Sequence, residues 1–111
     1  MSSAPIFDRA GVMMRLENDE ELFKELLEVF HEEHPVIMAE IEKCAAAKDK
    51  AGLALKAHSL KGALGNVGAV RAAEAARVIE FAAKAGDLSN VGTLVPELKA
   101  QVVAFVEAVK S

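Results

Sequence analysis

The sequence predicts an all-α protein: an up-down antiparallel four-helix bundle with a short additional N-terminal helix. Three observations lead there. Tryptophan and tyrosine are absent, and only three prolines and seven glycines interrupt 111 residues, a composition that favours helices over sheet. Apolar residues recur at helical spacing in four long stretches. Short segments carrying Asp, Gly or Asn separate those stretches, as in antiparallel helices joined by tight turns. The length suits one core and one domain. Residues 1–6 are read as a flexible N-terminus and residues 7–111 as a single helical domain.

The elements follow in order. Asp8 is read as the N-cap of a short amphipathic helix whose apolar contacts come from Met13, Met14 and Leu16. Asn18 and Glu21 form a candidate capping box, with acidic residues at 19–21 suiting the positive end of a second helix. That helix is predicted to run to about Lys48 and to bury Phe23, Leu26, Leu27, Phe30, Ile37, Met38 and Ile41. Pro35 lies within it and predicts a kink near His31 rather than a break, because the apolar spacing continues across it. Asp49 caps a third helix with the seam Leu53, Ala57, Leu60 and Leu64, ending at Gly65 and Asn66, a pair suited to left-handed or turn geometry. The fourth spans about 70–85, turns Ala72, Ala76, Ile79 and Ala83 inward, and stops at Gly86. The fifth uses Val95, Leu98, Val102, Phe105, Val106 and Val109, and Pro96 leaves its start at either Ser89 or Leu94.

Charge and composition narrow the function classes. The formal net charge of −4 offers no basic surface for nucleic acid. Cys44 is the single cysteine, so no internal disulfide forms and a reducing, cytoplasmic location is expected. The first residues lack the pattern of a signal peptide. The aliphatic run at 102–106 is far too short to span a bilayer. The second helix is strongly acidic. Residues 48–71 carry Lys48, Lys50, Lys56, Lys61 and Arg71 against Asp49 alone, which favours an acidic partner or an incoming anion.

The third helix carries a second stripe. His58, Lys61, Gly62 and Gly65 fall at i, i+3, i+4 and i+7, turned away from the apolar seam. Glycine within a helix costs about 1 kcal/mol relative to alanine. Two glycines on the histidine's own stripe therefore indicate that something approaches this backbone closely. The third and fourth helices turn near Ala69, so residues equidistant from it lie level. His58 and Glu80 are each eleven residues away, which puts the Glu80 carboxylate within reach of Nδ1–H and leaves Nε2 as nucleophile.

The run His58-Ser59-Leu60-Lys61-Gly62, followed by a small residue, Gly65-Asn66 and Gly68, resembles the phosphorylation motif of histidine-containing phosphotransfer (HPt) domains. These are the helical relay modules of bacterial, fungal and plant phosphorelays, and the first domain of chemotaxis kinases. The resemblance implies that His58 accepts a phosphoryl group from, and returns it to, the aspartate of a response-regulator receiver domain. A hybrid sensor histidine kinase is a further implied partner. Lys61 would support the charge of the transferred group, and Gly62 would leave room for the partner to reach Nε2. In several family members a Glu or Gln at the position of Glu80 holds the histidine. Ala51, Ala54 and Leu55, with Gly62 and Gly65, form the expected docking patch.

No phosphate-binding glycine loop, Walker lysine or aspartate cluster for Mg²⁺ is present. The expectation is a phosphoryl carrier with no cofactor of its own, Mg²⁺ belonging only to the partner receiver, and with no nucleic-acid or membrane partner, working as a monomer. Glu28 and His31 form a Glu-x-x-His element of the kind used by di-iron bundles, but no second such pair exists. His31 and His34 have no evident third ligand, so no metal site is expected. His34 is read as a half-buried histidine beside Pro35. Met1 favours a free-standing module over one excised from a hybrid or chemotaxis kinase. The alternative function is a non-transferring helical interaction module that binds a receiver or other signalling partner.

Overall fold

A computed structural model describes residues 4–110, which form five helices. Helix α1 spans Arg9–Arg15, α2 Glu20–Ala46, α3 Lys50–Asn66, α4 Val70–Lys84 and α5 Val91–Lys110. The four long helices pack in a closed ring in which α2 touches α3, α3 touches α4, α4 touches α5, and α5 returns to α2. The α3–α4 contact is the most extensive. Ala72, Ala76 and Ala83 of α4 are buried there, and such small side chains let two helix backbones approach closely. The core is the predicted seam of α3 (Leu53, Ala57, Leu60, Leu64) with Phe30, Met38, Ile41, Ile79, Leu98, Val102 and Phe105. Phe105 joins the two ends of the apolar interior: its ring meets Phe7 edge-on at 5.4 Å and Phe30 at 5.5 Å.

Side-chain caps fix where the chain enters its helices. Asp8, Asp19 and Asp49 each accept the backbone N–H three residues on, at 3.0 Å. The cap of α2 is therefore Asp19 and not Asn18. Glu17 and Asn18 both adopt left-handed backbone, φ 53° and 63°, which turns the chain sharply after α1 and delivers Asp19 to the cap. Helix α2 ends at Ala46, two residues before the expected limit, because Lys48 takes a left-handed φ of 55°. It passes through Pro35 as one helix. Helix α5 starts at Val91, between the two expected starts, with Pro96 inside it.

The α3–α4 turn departs from the sequence reading. Asn66 is still helical, Val67 is the C-cap, and the left-handed residue is Gly68, φ 80°. Helix α1 closes over this turn, with the Asp8 N–H donating to the Gly68 carbonyl at 2.9 Å and Val12 buried. Of the stretch expected to be flexible, residues 1–3 lie outside the described residues. Residues 4–6 are held: the Arg71 side chain donates to the Ala4 carbonyl at 2.8 Å, its backbone N–H to the Pro5 carbonyl at 3.0 Å, and Ile6 packs on the core. Among the described residues no helix is long and apolar enough to cross a membrane.

Candidate functional site

The seam of α3 points inward, so the stripe carrying His58 points out. The His58 side chain is 62 % exposed, beside a Glu80 side chain only 5 % exposed. Nδ1 of His58 lies 3.0 Å from Oε2 of Glu80. A carboxylate accepts, so in the neutral ring Nδ1 carries the proton and Nε2 holds the lone pair. Among the described residues Nε2 has no protein partner, and the exposed ring leaves it open to solvent.

Among the described residues Glu80 is the buried polar or charged one. A carboxylate so covered is costly to keep charged unless it is paired, and this one meets two ammonium groups besides the imidazole. Lys61 of α3 donates to Oε1 at 2.8 Å, and Lys84, one turn further along α4, lies 2.8 Å from Oε2. The hydrogen bonds from Lys61, then from Lys84 and His58, outweigh desolvation and hold the Glu80 carboxyl down at about 2. It is ionised at every physiological pH. The site is thus one buried anion that fixes an imidazole and two ammonium groups.

Gly62 is exposed and Gly65 half-buried, and a Cβ at either would meet nothing within 4 Å. The Gly65 carbonyl accepts from Arg15 of α1 at 3.0 Å. Of the expected docking patch, Ala51 and Leu55 are exposed, Leu55 by 61 %. Ala54 is half-buried, with part of its surface packed on the core. Two side chains at the site were missed in the sequence. Lys84 carries only a generic signal, a Glu–Lys pair at i, i+4. Phe81 is 65 % exposed, while Phe23, Phe30 and Phe105 are buried, and it lines a shallow recess with Glu80 and Lys84. The arginine of Arg77 lies over its ring, 5.6 Å from the centroid.

The other two histidines are built differently. His34 is half-buried and stacks on Phe30 with ring centroids 4.6 Å apart. Burial, with a contribution from His31, lowers its pKa. His31 is exposed on the same helix, its ring 6.2 Å from that of His34. Among the described residues no three potential metal ligands come together.

A helical bundle that presents one histidine outward, its Nδ1 fixed by a buried carboxylate, defines a class of phosphoryl-carrying signalling modules. Residues 25–109 match the family described as the Hpt domain, and the chain belongs to that family. Among solved structures it is similar to the histidine-containing phosphotransfer protein B (HptB) of Pseudomonas aeruginosa PAO1. The two share 26 % identity with a TM-score of 0.84 over 93 % of this chain and 90 % of that one. A search of curated proteins gave no match. The protein is a histidine phosphotransfer module of phosphorelay signalling, a carrier rather than a kinase.

Proposed function

We propose that Nε2 of His58 is the atom that carries the phosphoryl group, taken from and returned to the aspartate of a receiver domain. The observation that carries this reading is the 3.0 Å contact between Nδ1 and the buried Glu80 carboxylate. In the forward step the Nε2 lone pair attacks phosphorus as the bond to the receiver's aspartate oxygen breaks, and that electron pair stays on the aspartate. Nδ1 keeps its proton throughout, so the ring gains positive charge as the N–P bond forms. That charge develops against Glu80, a fixed anion in a poorly solvated place. Lys61, one helical turn from His58, meets the phosphoryl oxygens. In-line transfer needs mostly positioning and charge compensation, and the receiver brings its own Mg²⁺ and acidic pocket. This chain then needs no ATP and no cofactor. It works as a cytoplasmic monomer whose docking face includes Ala51, Leu55 and Gly62.

The test is incubation with a receiver domain charged with labelled phosphate. Wild type takes an acid-labile, alkali-stable label, and His58→Gln takes none. Label persisting in that variant, on His31 or His34, overturns the assignment.

A further inference from the structure

Glu80 holds one more cation than the relay chemistry described above uses. Oε1 faces Lys61, while Oε2 is shared by Nδ1 of His58 and Nζ of Lys84. The two lysines differ in what they can do next. Lys61 stands on the histidine's own stripe of α3, one turn away, and is the ammonium placed to follow a phosphoryl group on Nε2. Lys84 is anchored on the same helix as Glu80, at i+4 and in the last turn of α4, where the helix dipole also favours a cation. Once Lys61 turns outward, a buried carboxylate facing the imidazole alone would favour the doubly protonated ring. That form has no lone pair on Nε2. The other nearby charges are already engaged: Lys56 of α3 pairs with Glu40 of α2, and Arg77 with Glu74 within α4.

We propose that Lys84 is a positioning residue that stays on Glu80 when Lys61 moves to the phosphoryl group, so that the carboxylate keeps its hold on Nδ1–H without driving the ring into its imidazolium form. Lys61 and Lys84 thereby divide the work. One serves the transferred group, and the other serves the anion that aims the nucleophile. The inference rests on His58 being the carrier. It adds that a cation need not touch the phosphate to be required for transfer. It also accounts for a lysine whose side chain is 66 % exposed yet stands 2.8 Å from a buried oxygen.

Phosphoramidate, a small donor that needs no docking surface, is the probe. The full chain and its Lys84→Met, Lys84→Arg and His58→Gln variants are labelled between pH 6 and 8, each rate being divided by that of wild type. For Lys84→Met the ratio is expected to fall about threefold from pH 8 to pH 6, the size of a movement of about half a pH unit. Lys84→Arg, which keeps the charge, holds the ratio near one. ¹⁵N NMR of the ring in unphosphorylated Lys84→Met shows the imidazolium form persisting to higher pH. A ratio that is flat with pH overturns the proposal, whether it sits at one (a solvated lysine) or is uniformly depressed (a direct contact to phosphate). Failure of the carrier reading has a different signature: His58→Gln then takes label as wild type does, whatever Lys84 does to the pH dependence.

Discussion

Gly62 and Gly68, six residues apart, have opposite reasons to be glycine. Gly68 is needed by the fold. Its φ of 80° is closed to most side chains, and a Cβ there would run into Val12 and lie 3.0 Å from the Asp8 carbonyl oxygen. Gly62 is not needed by the fold. It is in regular helix, exposed, with nothing within 4 Å of where a Cβ would stand, and its helix would be more stable with almost any other residue. A position where the protein forgoes stability without any internal constraint is what the proposed approach of a partner would leave behind. On the function proposed above that partner is the receiver, which would come close to the backbone one turn past His58 in order to reach Nε2.

The largest effect expected from this contrast is at Gly68. Gly68→Val should cost about 3 kcal/mol or more, combining left-handed strain with overpacking against Val12. Chemical denaturation reads it directly, and a loss below about 1 kcal/mol would show that α1 shifts to make room. Gly62→Gln should do the reverse. Transfer from a receiver falls at least thirtyfold, about 2 kcal/mol of barrier, while stability rises by roughly 0.5 kcal/mol. The same variant should accept phosphate from phosphoramidate at a near-normal rate, since that donor needs no docking. An equal loss with both donors would place the defect in the nucleophile and not in access.

The acid side of the stability curve sharpens the comparison from the interior. Glu80 is held at about 2 against an ordinary value of 4.5. Its ion pairs therefore contribute fully above about pH 5, and the contribution fades as pH falls toward 2. The stability gap between wild type and Glu80→Gln should be widest near neutrality and narrow steadily below pH 5. A gap independent of pH would mean that the charge of Glu80 is not what its neighbours recognise. The smallest effect belongs to His34. Its lowered pKa means that the unfolded chain binds the proton more readily, so stability declines as pH falls below 6.5. His34→Phe should flatten melting temperature between pH 7 and 5 by a degree or two, leaving labelling unchanged.

Much of this was legible in the sequence because periodicity and capping are local. The seam Leu53, Ala57, Leu60 and Leu64 reads directly as a buried face, and Asp8 and Asp49 announce their helices. The pairing of His58 with Glu80 needed only a turn position, since an antiparallel helix pair maps sequence distance onto height. What escaped was set by tertiary context. Glu80, between inward Ile79 and outward Phe81, gives no sign that it is buried. Lys84 looked like any surface lysine because its partner's burial, and not its own position, gives it weight. Asn18 lost the cap to Asp19 because two consecutive left-handed residues, costly and unsignalled for Glu17 especially, move the helix start by one. Spacing places Ala54 on the docking stripe, but spacing does not show that it also packs on the core and is half-buried.

The closure of α1 over the α3–α4 turn also sets an order of assembly. Helices α3 and α4 are adjacent in sequence and share the most extensive interface, so their pairing closes a short loop at little entropic cost. The contacts that hold the chain's beginning in place join residues far apart: Asp8 with Gly68, Ala4 with Arg71. These close long loops and are expected to form after the hairpin that presents His58 exists. By the same logic they are first to open. Amides of α1 should exchange with solvent through local opening well below the global unfolding free energy, whereas those of the Leu53–Leu64 seam should exchange only when the whole bundle unfolds.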